Sequence, residues 1–318
     1  MSILCVGSVA LDSVKTPSGE RTEALGGSAT FFSTAASFFT KVEIVAVIGE
    51  DFPPEHLRFL EGRGVGLSGL ERRAGRTFRW RGSYEWDLNS AKTLATELNV
   101  FESFQPRIPE PLRAPEWLFL GNIDPVLQSA VLDQVKRPKL VAADTMNYWI
   151  SGKPDALRAA LSRVDLLFVN DAEARELAQE SNIVKAVKAI QKLGPKTVCV
   201  KRGEYGALLF LPGADGGLGF FAIPALPLEE VRDPTGAGDS FAGGFLGSLA
   251  AGGRLDGPAL RRAAVVGSAM ASLAVEDFSL DRFRTLGQAD IDARLEAFER
   301  LTAVGALSSA TIGFAAAR

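Results

Sequence analysis

Residues 231–253 read VRDPTGAGDSFAGGFLGSLAAGG, a turn sequence that runs straight into a helical stripe of Phe241, Phe245 and Leu249. A helix therefore begins near Gly236. Its first N–H groups have no partner inside the helix, and the glycines let the backbone fold tightly enough for several of them to converge on one anion. Asp239 falls in the first turn, where it points into the same pocket. Gly243, Gly244 and Gly247 each cost up to about 1 kcal/mol in a helix interior, so a ligand or a tightly packed neighbour demands close backbone approach there.

Working outward from this helix, the runs ILCVGSVA, VEIVAVIG, WLFLGN, LVAAD, DLLFVN, TVCVKR and ALLFLP read as apolar strands. Helical spacing appears between them: after Gly26-Gly27, in PVLQSAVLDQV, and over 171–193. The alternation predicts a doubly wound α/β fold, a mostly parallel sheet flanked by helices. One segment breaks the rhythm. TFRWRGSYEW places Phe78, Trp80, Tyr84 and Trp86 at alternating positions with Gly82 between them, and Leu94, Thr96, Leu98 and Val100 alternate again after DLNSAK. The two read as an antiparallel pair outside the main sheet, serving as core cladding, a lid or a dimer surface. Residues 303–318, rich in Ala, Ser and Gly, read as a weakly ordered end or a final helix and strand.

The 318 residues are 47% hydrophobic and 23% charged, enough apolar content for one large α/β domain over 1–318 with a small addition. A net charge of −3 gives no basic field for polyanions, which argues against nucleic acid as a partner. Cys5 and Cys199 both sit in apolar runs, where a free cysteine behaves as a small core hydrophobe and suits a reducing cytosol. No basic leader and no run of about 18 apolar residues occurs, so a cytoplasmic protein without a membrane partner is expected. With His56 as the single histidine, read as a surface helix residue, a Ser-His-Asp hydrolase or a histidine metal site has little support.

Glycine turns at helix starts also bind dinucleotides, but Phe241 fills the place of the third glycine in G-x-G-x-x-G and the turn comes late in the chain. No G-x-x-x-x-G-K-[ST] is present either. An ATP γ-phosphate is an anion that the turn at 236–238 could hold, and Asp239 could take the proton of an attacking hydroxyl. A first-turn acid can equally be there for the helix dipole, so GAGD alone leaves both open.

DPTGAGDSFAGGFLG resembles the C-terminal signature of the ribokinase-like carbohydrate and nucleoside kinases, the PfkB-type family. The resemblance covers nearly the whole chain, because Gly26-Gly27 opening a helix, VNDAEARELA and VKRGEYGALLF follow in the family's order and approximate spacing. It implies Asp239 as catalytic base, with Gly236, Ala237 and Gly238 as the anion hole for the transferring phosphoryl group. It implies Asn170 and Glu173 as the pair that organises Mg²⁺ and phosphates through water, although Asn170 or Asp171 would also serve as a helix N-cap. Lys201 and Gly203 match positions lining the ATP site, Gly267 and Ser268 the completion of the adenine pocket, and Asp233 and Thr235 a loop whose carbonyls commonly hold K⁺. Asp12 matches an acid that binds two substrate hydroxyls, as a carboxylate does well. Gly26 and Gly27 resemble the turn beside the substrate, and 13–25 with 77–101 occupy the places of a β lid that in some members pairs into a homodimer.

One departure stands out. Many sugar kinases of the family carry Asn soon after the double glycine, whereas Phe31 lies at about that place here. Ser28, Thr30 or Ser33 would then supply the polar contact, or the acceptor would turn a ring face to aromatics, as a nucleoside or a cyclitol such as inositol does. The resemblance thus implies an ATP- and Mg²⁺-dependent kinase acting on a sugar or related polyol, with nucleoside or inositol as alternative acceptors. A ligand-sensing protein that kept the fold and lost catalysis is the contrary reading.

Overall fold

The computed structural model describes residues 2–213 and 217–303, so the 304–318 part of the Ala/Ser/Gly-rich end lies outside the described residues. In chain order the strands are β1 (Ser2–Val6), β2 (Ala10–Thr16), β3 (Gly19–Gly26), β4 (Lys41–Gly49), β5 (Val65–Arg73), β6 (Phe78–Tyr84) and β7 (Ala91–Glu97). They continue with β8 (Trp117–Leu120), β9 (Leu140–Asp144), β10 (Leu166–Asn170), β11 (Thr197–Lys201), β12 (Ala207–Pro212) and β13 (Leu218–Ile223). The helices begin with α1 (Ser28–Ala36), α2 (Pro54–Gly62), α3 (Pro125–Gln134), α4 (Asn147–Gly152), α5 (Pro154–Leu161) and α6 (Asp171–Ala178). After them come α7 (Ile183–Gln191), α8 (Ala237–Gly252), α9 (Gly257–Ala274), α10 (Asp281–Thr285) and α11 (Gln288–Thr302).

Among the described residues the strands form two sheets. The larger runs β13-β12-β11-β10-β9-β8-β1-β4-β5, parallel from β11 through β5, with β12 and β13 antiparallel at one edge. Its central strands are buried on both faces, and alternate residues supply two separate apolar layers. Ile3, Cys5, Ile44 and Ala46 pack under α1, α8 and α9, while Leu4, Val6, Val45 and Val47 share the opposite layer with α3, α5 and α7. Both cysteines are buried and free, as their apolar runs predict.

The smaller sheet has the order β3-β2-β6-β7, with β2 and β6 parallel and the outer pairs antiparallel. It corrects the reading of ILCVGSVA as one strand. β1 stops at Val6, Gly7 threads a passage where a Cβ would meet Ser28 Oγ at 2.8 Å, and Ala10 already belongs to β2. Asp12 therefore lies within β2, in the small sheet.

The aromatic run also needs correction. β6 ends at Tyr84, its register against β7 slips between Arg81 and Gly82, and Trp86 falls outside the strand at 91% exposure. Leu98 and Val100 likewise follow β7, with Val100 in a short 3-10 turn. Trp80 covers Gly82, where a Cβ would lie 2.1 Å from the indole, and its Nε1 donates to Thr93 Oγ1 at 3.2 Å. His56, expected on a surface helix, is in α2, half-buried against the Phe52 ring.

Candidate functional site

Five neighbouring parallel strands, β11, β10, β9, β8 and β1, end along one edge, at Lys201, Asn170, Asp144, Leu120 and Val6. The outside of the carboxyl edge is where open α/β sheets present ligand-binding groups. Two charged side chains meet there from strands separated by β10. Lys201 Nζ donates to Asp144 Oδ2 at 2.6 Å, and both side chains are largely buried. The other Asp144 oxygen accepts from Thr145 N at 2.8 Å, and Gln128 Nε2 binds the Asp144 carbonyl.

α8 brings the GAGD turn to the same edge. Gly236 is its N-cap with φ +73°, and a Cβ there would strike the Phe31 ring at 2.3 Å. Only glycine suits that conformation and that contact. The Ala237 N–H already binds the Pro234 carbonyl at 3.2 Å, so of the turn's amides this one is engaged within the loop. Gly238 faces Lys201, whose Nζ lies 3.0 Å from the place of a Gly238 Cβ. Asp239 follows in the first turn of α8. Burial, with Asp144 and Asp12 adding repulsion and Lys201 opposing them, pushes its carboxyl up to about 8.

Opposite this turn stand the acceptor-side residues expected from the sequence. Gly26 closes β3, and a Cβ on it would fall 2.0 Å from Asp12 Oδ2, so the glycine makes room for the carboxylate. Gly27 caps α1 at φ +95°, where a Cβ would press on the Ser8 carbonyl at 2.5 Å. Ser8 and Ser28 lock the turn reciprocally, with Ser8 N donating to Ser28 Oγ at 3.1 Å and Ser28 N to Ser8 Oγ at 3.0 Å. Burial pushes Asp12 up to about 7 against the Gly27 N–H, with Asp233 reinforcing the rise. Ser28 and Ser33 are committed to bonds with Ser8 and Thr30, and Thr30 Oγ1 is buried without a partner. Phe31 itself is buried against the GAGD turn.

Asn170 and Glu173, expected from the resemblance to organise Mg²⁺ and phosphates, form a reciprocal capping box at the start of α6. Asn170 Oδ1 accepts from Glu173 N at 2.8 Å, and Glu173 Oε2 from Asn170 N at 2.9 Å. One Glu173 oxygen remains uncommitted. Burial pushes this carboxyl up to about 7 against the attraction of Lys201, and Asp144 adds to the rise. Gly203 takes φ +55° in the turn after β11, where a Cβ would lie 2.8 Å from Asn89 Oδ1, and Asn89 Nδ2 donates to Glu204 at 3.1 Å. The tip of the small sheet thus rests on this turn.

Asp239 feels the charges of Asp144, Lys201 and Asp12, and Glu173 those of Lys201 and Asp144, whereas Gly267 and Ser268 belong to α9. Gly267 packs on the Phe241 carbonyl, where a Cβ would sit at 2.8 Å, and Ser268 Oγ donates to the Pro224 carbonyl at 2.9 Å. Asp233 spends both oxygens on backbone amides, those of Thr235 at 2.9 Å and Ser279 at 3.0 Å. Thr235 Oγ1 in turn donates to Tyr84 Oη at 3.4 Å, joining β6 to the GAGD loop. A cleft of about 770 Å³ opens beside Leu88, Glu229 and Arg232, and none of Asp12, Asp144 or Asp239 lines it.

Asp144 and Tyr84 were not singled out from the sequence as site residues. The signal for Asp144 was present, since an acid closing the buried run LVAAD marks the ligand edge of a parallel strand. Tyr84 reads only as one of four alternating aromatics.

Comparison with known proteins bears on this arrangement. Residues 114–282 match the model of the pfkB family carbohydrate kinases. A cytidine kinase of Thermococcus kodakarensis is 31% identical over 263 residues, 80% of this chain and 91% of the relative. In fold, the chain is similar to the Burkholderia thailandensis nucleoside kinase solved in complex with inosine, at TM-score 0.74 and 20% identity over 93% of this chain and 98% of the other. It is also similar to the Salmonella enterica aminoimidazole riboside kinase complexed with aminoimidazole riboside and an ATP analogue, at TM-score 0.73 and 20% identity over 93% and 100%. Together with the GAGD turn at the carboxyl edge of a large parallel sheet, these likenesses decide the family: the chain is a member of the pfkB family of carbohydrate kinases, an ATP-dependent phosphotransferase acting on a hydroxyl group of a sugar or nucleoside.

Proposed function

We propose that the chain moves the γ-phosphoryl group of ATP to a hydroxyl of a nucleoside, with Asp239 as base. The observation that carries the reading is a buried carboxylate in the first turn of α8, one residue beyond a turn held open by Gly236. The acceptor oxygen attacks the γ-phosphorus, its proton passes to Asp239, and the bond from that phosphorus to the β–γ bridging oxygen breaks to release ADP. Asp12, beside Gly26, would hold the acceptor's neighbouring hydroxyls.

Aromatic surroundings favour a nucleoside over a plain sugar. Phe31 stands where a polar sugar contact is expected, and Trp80 is paired in register with Asp12 across β2 and β6. In-register parallel neighbours project to the same face about 5 Å apart, so the Trp80 indole, lying over Gly82 toward Thr93, belongs to the same face of the small sheet as Asp12. The Thermococcus kodakarensis relative, a cytidine kinase, points the same way.

The residues also fit a hydrated magnesium ion. Among the described residues no group of three acids could cage a metal, but Glu173 keeps one carboxylate oxygen free, which suits an ion held through water and phosphates. Bound Mg²⁺ would neutralise charge on the phosphates. Because Asp233 is fully engaged, a K⁺ ion in the 233–235 loop would rest on backbone carbonyls, leaving this carboxylate to shape the loop. Gly203, Gly267 and Ser268 would border the adenosine half of ATP, and the small sheet would serve as the lid of a single domain.

Coupled ADP release tests the reading, with cytidine, adenosine, inosine, ribose, hexoses and inositols as acceptors in the presence of Mg²⁺ and K⁺. Turnover with nucleosides well above that with free sugars is expected. Acceptor-independent ADP release alone would refute it.

A further inference from the structure

We infer that Lys201, held in place by Asp144, is the cation of the anion hole and meets the charge of the phosphoryl group during transfer. This rests on the phosphotransfer reading above. Three observations converge on it.

The first is position. Lys201 Nζ lies 3.0 Å from where a Gly238 Cβ would be, so the ammonium stands against the turn whose amides would receive the phosphoryl oxygens. Glycine at 238 leaves room for this ammonium as well as for the turn.

The second is restraint. Lys201 closes β11 and reaches across β10 to Asp144 at the end of β9, with a 2.6 Å contact and side-chain exposures of 19% and 6%. Asp144 is fixed in turn by the Thr145 amide. An ammonium has three donors, and Asp144 uses one, which leaves two for oxygens arriving at the turn. Preset donors of this kind need no reorganisation when charge develops.

The third is charge. Asp144 repels both Glu173 and Asp239, and Lys201 is the cation that acts on all three. Partial charges on helix amides do not offset three carboxyl groups by themselves. Burial alone would depress the Lys201 ammonium, yet Asp144 and Glu173 hold it above its ordinary value, so it stays charged while the proton of the acceptor goes to Asp239.

The competing account is a buried ion pair that serves folding alone. The Lys201→Met variant removes the cation but strands the Asp144 carboxylate, which is destabilising in itself. The double variant Lys201→Met/Asp144→Asn removes both charges and keeps the test valid if the single variant does not fold. We expect the folded double variant to turn over about 10²–10³-fold more slowly, the usual effect of deleting a transition-state donor, with the Kd for ADP within about threefold of the parent. Asp144→Asn alone, keeping the ammonium but loosening it, should lose about tenfold in kcat at an unchanged acceptor KM. A double variant with parental kcat would overturn the inference, as would an ADP affinity that falls as far as kcat/KM. If the parent chain phosphorylates none of the acceptors, the phosphotransfer reading fails. If it is active and the double variant matches it, only the role of Lys201 fails.

Discussion

Asp239→Asn should make the protein less active and more stable at once, and the two effects should separate with pH. The carboxyl is buried, repelled by Asp144 and Asp12, and held at about 8 against an ordinary 3.8. A displacement of that size corresponds to about 6 kcal/mol of discrimination against the charged form, an upper figure because the neighbouring acids share it. The sign follows from linkage. A carboxyl whose folded value is raised supports the fold while protonated, and that support disappears as pH rises from about 4 through about 8. The amide cannot ionise. We therefore expect Asp239→Asn to match the parent near pH 4 and to exceed its stability by about 1–3 kcal/mol near pH 8.5, with kcat lowered about 10²–10⁴-fold. Urea unfolding at the two pH values reads the first effect, and coupled ADP release the second. Near-normal turnover would remove Asp239 as base, and a stability difference independent of pH would refute the electrostatic account.

Gly236→Ala should cost activity by at least about 10²-fold, because the new methyl strikes Phe31 at 2.3 Å in a conformation with φ +73°, displacing the turn's amides; wild-type kcat would show that the turn is not the anion hole. Asp12→Ala should raise the acceptor KM about tenfold or more and leave that for ATP within about twofold, and Gly26→Ala, whose methyl falls 2.0 Å from Asp12 Oδ2, should reproduce the same split. Steady-state kinetics with each substrate varied in turn distinguishes these outcomes. Trp80→Glu/Trp86→Glu should raise the acceptor KM if the small sheet covers the acceptor, or yield monomers in light scattering if it joins two copies; retention of both properties would make it cladding.

The parallel strands were legible because each is a short apolar run buried on both faces, and their ends place Asn170 and Lys201 at the ligand edge. β5 was not, since VGLSGLERR carries charges and two glycines in place of an apolar run. Those glycines exist for the neighbouring strand: Cβ atoms on Gly66 and Gly69 would meet Glu43 and Val45 at 2.1 and 2.5 Å. β3, mostly polar and exposed, has no apolar face to announce it, yet its last residue borders Asp12. The break of ILCVGSVA into β1 and the start of β2, the strand that carries Asp12, turned on Gly7, whose tight passage against Ser28 is a contact 21 residues distant in sequence. The GAGD turn and the double glycine were readable from local chemistry. The Asp144–Lys201 pair joins residues 57 positions apart and depends on strand order, which apolar runs leave undetermined.

The glycines of α8 have a consequence beyond packing. Gly243 would collide with the Phe32 carbonyl at 2.4 Å and Gly247 with Ala36 at 3.0 Å if either carried a side chain, so α8 and α1 touch backbone to backbone. α1 opens at the double glycine and α8 opens at the GAGD turn. If the double glycine is the acceptor platform and the GAGD turn the phosphate cradle, as proposed above, the two sit side by side at the same end of one rigid block, spaced by hard contact that neither salt nor pH loosens. A lineage seeking a new acceptor has little freedom to remodel that block, and β2, β3, β6 and β7 are the parts it can rewrite. Grafting residues 13–25 and 77–101 from a relative of different specificity would then transfer acceptor preference while the chemistry beneath stays as it was.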